Sequence, residues 1–94
     1  MPLHFVRYRG HSLSTKSARF VLYDGDKEIQ CAVSDTAMDD AEHARDVQPS
    51  HRDDQFRRLK DHIVNCASRK FFAGQFERGL DPRILVKTTD LTLR

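Results

Sequence analysis

Tryptophan is absent from this chain, and glycine, proline and cysteine are scarce, with four, three and two residues. The glycines stand singly, so there is no glycine-rich loop to cradle a phosphate group. Cys31 and Cys66 lie far apart and match no short metal or redox spacing. They read as free thiols in a reducing compartment. No run approaches the ~20 apolar residues that a membrane-crossing helix needs. The opening residues, Met1-Pro2-Leu3-His4-Phe5, form no basic-then-apolar export signal. The expected location is therefore the cytoplasm, with no membrane partner.

What is present suits one small domain. Residues 1–94 give enough chain for one hydrophobic core and too little for two. Apolar residues are 38% of the total and charged ones 32%, so that core is thin and leans on its six Phe and two Tyr. Net charge is only +2, but its distribution is uneven. Residues 35–54 hold seven acids against two Arg, and residues 55–94 hold nine Lys or Arg against four acids. An acidic block thus precedes a basic one, which can steer a partner or pair internally.

The clearest local pattern is a hairpin. Ala18, Phe20 and Leu22 alternate with Arg19 and Val21, and Ile29, Cys31 and Val33 alternate with Glu28 and Gln30. Between them, Asp24-Gly25-Asp26 supplies the positive-φ residues of a tight turn. A Gly25-Asp26 loop pairs Leu22 with Ile29 and Phe20 with Cys31; an Asp24-Gly25 loop pairs Phe20 with Ile29. Both put the same residues inside. Upstream, Leu3, Phe5 and Arg7 alternate with His4, Val6 and Tyr8 as a weaker strand pattern, followed by a polar loop over 10–17.

Two helices are expected next. Ser34-Asp35 offers a cap to a short helix over about 35–44, where Ala37, Met38, Ala41 and Ala44 recur at helical spacing. Residues 45–50 form an interhelix linker, closed by Pro49. A long helix over about 51–73 follows, with Ser50 as its cap and Asp53 completing a capping box. Phe56, Leu59, Ile63, Cys66, Ala67 and Phe71 form its apolar stripe, and Gly74 its stop. The β-rich run Ile84-Leu85-Val86-Lys87-Thr88-Thr89 reads as the last strand. The expected fold is α+β: a small antiparallel sheet of three to four strands packed against two helices.

This pattern resembles a family of small bacterial proteins known as domain of unknown function fourteen eighty-eight. The likeness runs through Arg19-Phe20-Val21-Leu22-Tyr23-Asp24-Gly25, Ile29-Gln30-Cys31-Ala32-Val33-Ser34 and Ala37-Met38-Asp39-Asp40. It continues through Phe56, Ile63, Ala67 and Lys70-Phe71, and closes with Ile84-Leu85-Val86-Lys87-Thr88-Thr89-Asp90-Leu91, covering roughly 15–91. It implies the same α+β fold and brings no activity, cofactor or catalytic residue set.

No catalytic, cofactor-binding or metal-binding residues are nominated. His62 and Cys66 are four apart on one helix, but structural zinc wants four ligands and no second pair is spaced for it. His11-Ser12 lack a nucleophile elbow, and alternation turns Cys31 inward. The basic residues Arg57, Arg58 and Arg69 of the long helix are the one surface nominated for nucleic acid or another partner. The expected function is a small non-enzymatic binding or interaction module, working with a protein partner or by self-association. Weak nucleic-acid binding through the basic helix face and a small enzyme of unidentified class are the alternatives.

Overall fold

The structure is a computed structural model that describes residues 3–45, 47–79 and 82–92. Four strands form one sheet in the order β1 (His4–Ser12), β2 (Ser17–Asp24), β3 (Lys27–Ser34) and β4 (Ile84–Val86). Helix α1 (Asp35–Glu42) follows β3, a 3₁₀ turn (Pro49–His51) leads into α2 (Arg52–Phe72), and α3 (Thr88–Thr92) follows β4. The α+β class stands, with one refinement. Strands β1 to β3 are antiparallel, but β4 joins β3 in parallel. A chain that leaves the end of β3 and returns through α1 and α2 re-enters the sheet in the same direction, as crossover connections do.

The β2–β3 hairpin takes the Gly25-Asp26 loop: Leu22 opposes Ile29, Phe20 opposes Cys31, and Gly25 has φ +66°. Its inner face carries Ala18, Phe20, Leu22, Cys31 and Val33, all fully buried. Helix α2 lays Phe56, Ile63, Cys66 and Ala67 on that face, with Leu59 and Phe71 half-buried beside them. Burial of large side chains of this kind gains roughly 1.5–3 kcal/mol each before entropy is subtracted.

Both helices end on Schellman motifs. The α1 motif has His43 in the left-handed region at φ +54°, with the Ala44 amide donating to the Asp39 carbonyl at 2.9 Å. The α2 motif has Gly74 at φ +74°, with the Gln75 amide donating to Lys70 at 2.9 Å. Ser34 caps α1 as expected, its Oγ accepting from the Ala37 amide at 3.1 Å. The expected capping box of α2 does not form. The residue before α2 is His51, which makes no side-chain cap bond, because the Pro49–His51 turn leads the chain into the helix.

Three further expectations are corrected. Half of the loop assigned to 10–17 is strand: β1 runs to Ser12 and β2 starts at Ser17, leaving 13–16 as the turn. Small polar residues there pair across the sheet edge, since backbone hydrogen bonding does not need apolar side chains. The last strand ends at Val86, and Thr88 and Thr89 lie in α3, where Asp90 accepts from the Lys87 amide at 2.8 Å and turns the chain. Tyr8 faces inward, not outward. Register shifts between Phe5 and Arg7 and between Tyr8 and Gly10 break the alternation of β1, and each extra residue moves the following side chains to the other face.

Among the described residues, no helix covers the other face of the sheet. Arg7 reaches from β1 over β2 to Glu28 on β3 at 3.1 Å, and Arg9 does the same to Gln30 at 2.8 Å. Val21, in register with Arg7 and Gln30, is fully buried in the middle of this face. The long arginine stems account for that burial without a second layer.

Candidate functional site

Two places in the molecule concentrate chemistry, and they lie near opposite ends of α2. The first gathers where the inner end of β1 meets the starts of α1 and α2. His11 on β1 contacts the Asp35 carboxylate with Nε2, at 2.8 and 3.0 Å. Arg52 sits 3.8 Å from Asp35 through Nε and donates to Asp39 at 2.6 Å through Nη1. Gln55 closes the set, accepting from Arg52 at 2.7 Å and donating to Asp39 at 3.0 Å. Burial raises the Asp39 pKa, but bonds from Arg52 and Gln55 outweigh it, so the carboxyl lies below its ordinary range.

Tyr8 joins this cluster from β1. Its ring stacks on Phe56 at 4.6 Å between centroids, and its hydroxyl donates to Asp53 at 2.6 Å. Burial pushes the phenol pKa up, and the bond to Asp53 adds to the shift. Chemically this is a set of partners that satisfy one another. No buried side-chain polar atom among the described residues lacks a hydrogen-bond partner. The His11–Asp35 pair has the form of an oriented base, but its carboxylate also faces Arg52, and Asp39 and Gln55 hold that guanidinium in place.

The second place is the far end of α2. Phe71, Phe72 and Phe76 form an edge-to-face cluster, with Phe71 at 5.4 Å from Phe72 and 5.6 Å from Phe76. Phe72 is 61% exposed and Phe76 40% exposed, unusual values for large apolar rings. Gly74 causes this: the chain turns sharply after α2 and brings Phe76 back against Phe71. Arg83 lies over the Phe76 ring at 4.4 Å, and its Nη1 donates to the Glu77 carbonyl at 3.2 Å.

The nominated surface residues are divided between these places. Arg57 pairs with Asp54 at 3.3 Å and Arg58 with Glu42 at 2.7 Å, so both belong to the acidic end. Arg69 stands about three turns further along α2, one turn before Phe72, and contacts Cys66 Sγ at 3.2 Å. The structure does not gather the three into one cluster. His62 and Cys66, weighed as a metal pair, contact the Leu91 and Asp90 carbonyls at 2.7 and 3.3 Å and help hold α3. Cys31 is buried, and that burial pushes its thiol up to about 12, far from reactive thiolate.

Sequence reasoning missed Arg52, Gln55, Tyr8 and His11 as a group. One signal was there: Arg52 lies four residues before Phe56, so the apolar stripe extended one turn back points to an inward position. Nothing in the sequence marks the bulges that turn Tyr8 and His11 inward.

Comparison with known proteins adds family and fold. The model of a family described as protein of unknown function (DUF1488) matches residues 3–80. No curated protein matches the chain. A crystal structure at 1.60 Å resolution, of a protein of unknown function from the same family in Shewanella loihica PV-4, is similar with a TM-score of 0.79. It is 12% identical, and the alignment covers 90% of this chain and 91% of that one. At that identity the likeness speaks for the fold alone.

Proposed function

The chain belongs to the DUF1488 family of proteins of unknown function, and from its own surface chemistry we propose that it is a non-enzymatic binding module. One contrast carries this reading. The groups that could do acid–base chemistry are bonded to one another beside the core, while the two exposed aromatic rings, Phe72 and Phe76, stand together at the other end of α2, apart from the single exposed side chains Val6 and Leu13. Exposed aromatic clusters flanked by arginine are the usual anchors of an interface. The contact would form around Phe72 and Phe76.

A photo-reactive amino acid placed at Phe72 in living cells tests this. The expected result is a discrete macromolecular adduct that is absent when the same group replaces Asn65 on the exposed middle of α2. Equal or absent labelling at both positions would count against the binding reading.

A second reading is favoured by His11, a histidine with an orienting carboxylate, which is one element of general acid–base catalysis. Turnover of any metabolite by the purified protein, abolished in His11→Ala, would replace the binding reading with an enzymatic one.

A further inference from the structure

The arginines of this protein differ by location. Near the acidic end, Arg52, Arg57 and Arg58 each pair with a carboxylate, and Arg7 pairs with Glu28 on the outer face of the sheet. At the aromatic end, Arg69, Arg78 and Arg83 have no carboxylate at ion-pair distance among the described residues. Lys70 pairs with Asp90 at 2.8 Å, and residues 69–90 contain five Lys or Arg against three acids. The exposed rings therefore sit beside three arginines that no carboxylate pairs with among the described residues, in a segment of net positive charge. An anionic partner would complete it.

Ring geometry narrows the class of partner. Phe72 and Phe76 meet Phe71 at interplanar angles of 86° and 69°. An edge-to-face contact covers at most one face of one ring in each pair, so Phe72, the more exposed of the two, keeps a face for a flat group. Phe76 already carries the planar guanidinium of Arg83 on one face. Flat aromatic faces beside arginines are what unpaired bases joined by phosphates require, and this mode of binding needs an open platform instead of a deep groove.

We propose that Phe72 and Phe76, flanked by Arg69, Arg78 and Arg83, form a platform for single-stranded nucleic acid. Unpaired bases stack on the two rings, and the arginines meet the phosphates. The proposal rests on the binding-module reading and names its partner. It also relocates nucleic-acid binding: Arg57 and Arg58, held by Asp54 and Glu42, take no part.

Fluorescence anisotropy with labelled 15-nucleotide single strands of DNA and RNA, beside a matching duplex, tests this with the full chain. Single strands are expected to bind at low salt more tightly than the duplex, with affinity falling steeply as salt rises. Phe72→Ala and Phe76→Ala should each weaken binding about tenfold. Arg78→Ala should reduce the salt slope by about one. Arg57→Ala and Arg58→Ala should leave affinity unchanged. Because Phe72 is exposed, its variant retains the fold, which circular dichroism verifies.

No single-strand binding at low salt would overturn the proposal, as would binding that depends on Arg57 and Arg58 but not on the rings. The adduct formed at position 72 separates the two levels of reading. A nuclease-sensitive adduct supports the nucleic-acid platform. A protease-sensitive, nuclease-resistant adduct overturns it and leaves the binding module standing. No adduct at all removes both.

Discussion

Phe56 sits at the centre of the aromatic packing, between Tyr8 at 4.6 Å, Phe20 at 5.3 Å and Phe5 at 6.2 Å. Periodicity alone makes Phe71 its equal, but Phe71 lies half-buried at the rim of the same stripe. Phe20→Ala and Phe56→Ala should therefore each cost about 3–5 kcal/mol, and Phe71→Ala clearly less, in chemical denaturation. Equal costs at Phe56 and Phe71 would show that the α2 stripe is rotated from its position here. Asp39 gives a second residue-scale prediction. Burial works against its charge, but the bonds from Arg52 and Gln55 hold its folded pKa below the unfolded value. Its contribution to stability is thus present above the unfolded value, near pH 4, and is lost as pH falls through the folded value. Asp39→Asn should be destabilised at pH 7, and the gap from the native chain should close progressively below about pH 4. A pH-independent gap would mean that packing, not charge, is what Asp39 supplies.

Each element shows a different balance between local signal and context. The start of α1 is local: Ser34 lies in extended geometry and its hydroxyl oxygen accepts from the Ala37 amide. Ser34→Ala should lower stability by about 1 kcal/mol in thermal or chemical denaturation, the usual worth of such a cap. The start of α2 is contextual. Asp53, placed by sequence for a capping box, is drawn to the Tyr8 hydroxyl instead. Strand β1 shows the same dependence on context: its two register shifts let Phe5, Tyr8 and His11 all reach the interior, although they do not share one parity. Those shifts also roughen an edge strand nine residues long, which discourages pairing with another chain.

Across the whole molecule, the chain after residue 80 is integral to the core although the family match ends there. Ile84 and Val86 are fully buried beside β3, and Leu91 is the α3 side chain buried in the core. Lys70 pairs with Asp90 at 2.8 Å, while His62 and Cys66 contact the carbonyls of Leu91 and Asp90. This last helix has five residues, too few to hold its shape without the contacts that α1 and α2 provide. Leu91→Ala should cost about 2–4 kcal/mol and loosen α3 from α2, seen as faster amide exchange in both. A near-neutral effect would mean that α3 merely covers a core that is already closed. The same scale explains the charge layout. The acids of residues 35–54 pair with Arg52, Arg57 and Arg58 at one end, and Arg69, Arg78 and Arg83 at the other have no such pair among the described residues.

Hairpin faces, the apolar stripe of α2, the Ser34 cap and the Gly74 stop were all legible in the sequence, because each depends on residues a few positions apart. Alternation and helical period are local properties of the chain. The tertiary structure alone decided the parallel entry of β4, the bulges of β1 and the formation of α3. It also decided which arginines are neutralised. Arg57, Arg58 and Arg69 look equivalent along one helix, and only the distant Glu42 and the nearby Asp54 separate the first two from the third. Charge pairing and side-chain burial depend on distances across the folded chain, and those distances exist only once the sheet and helices have met.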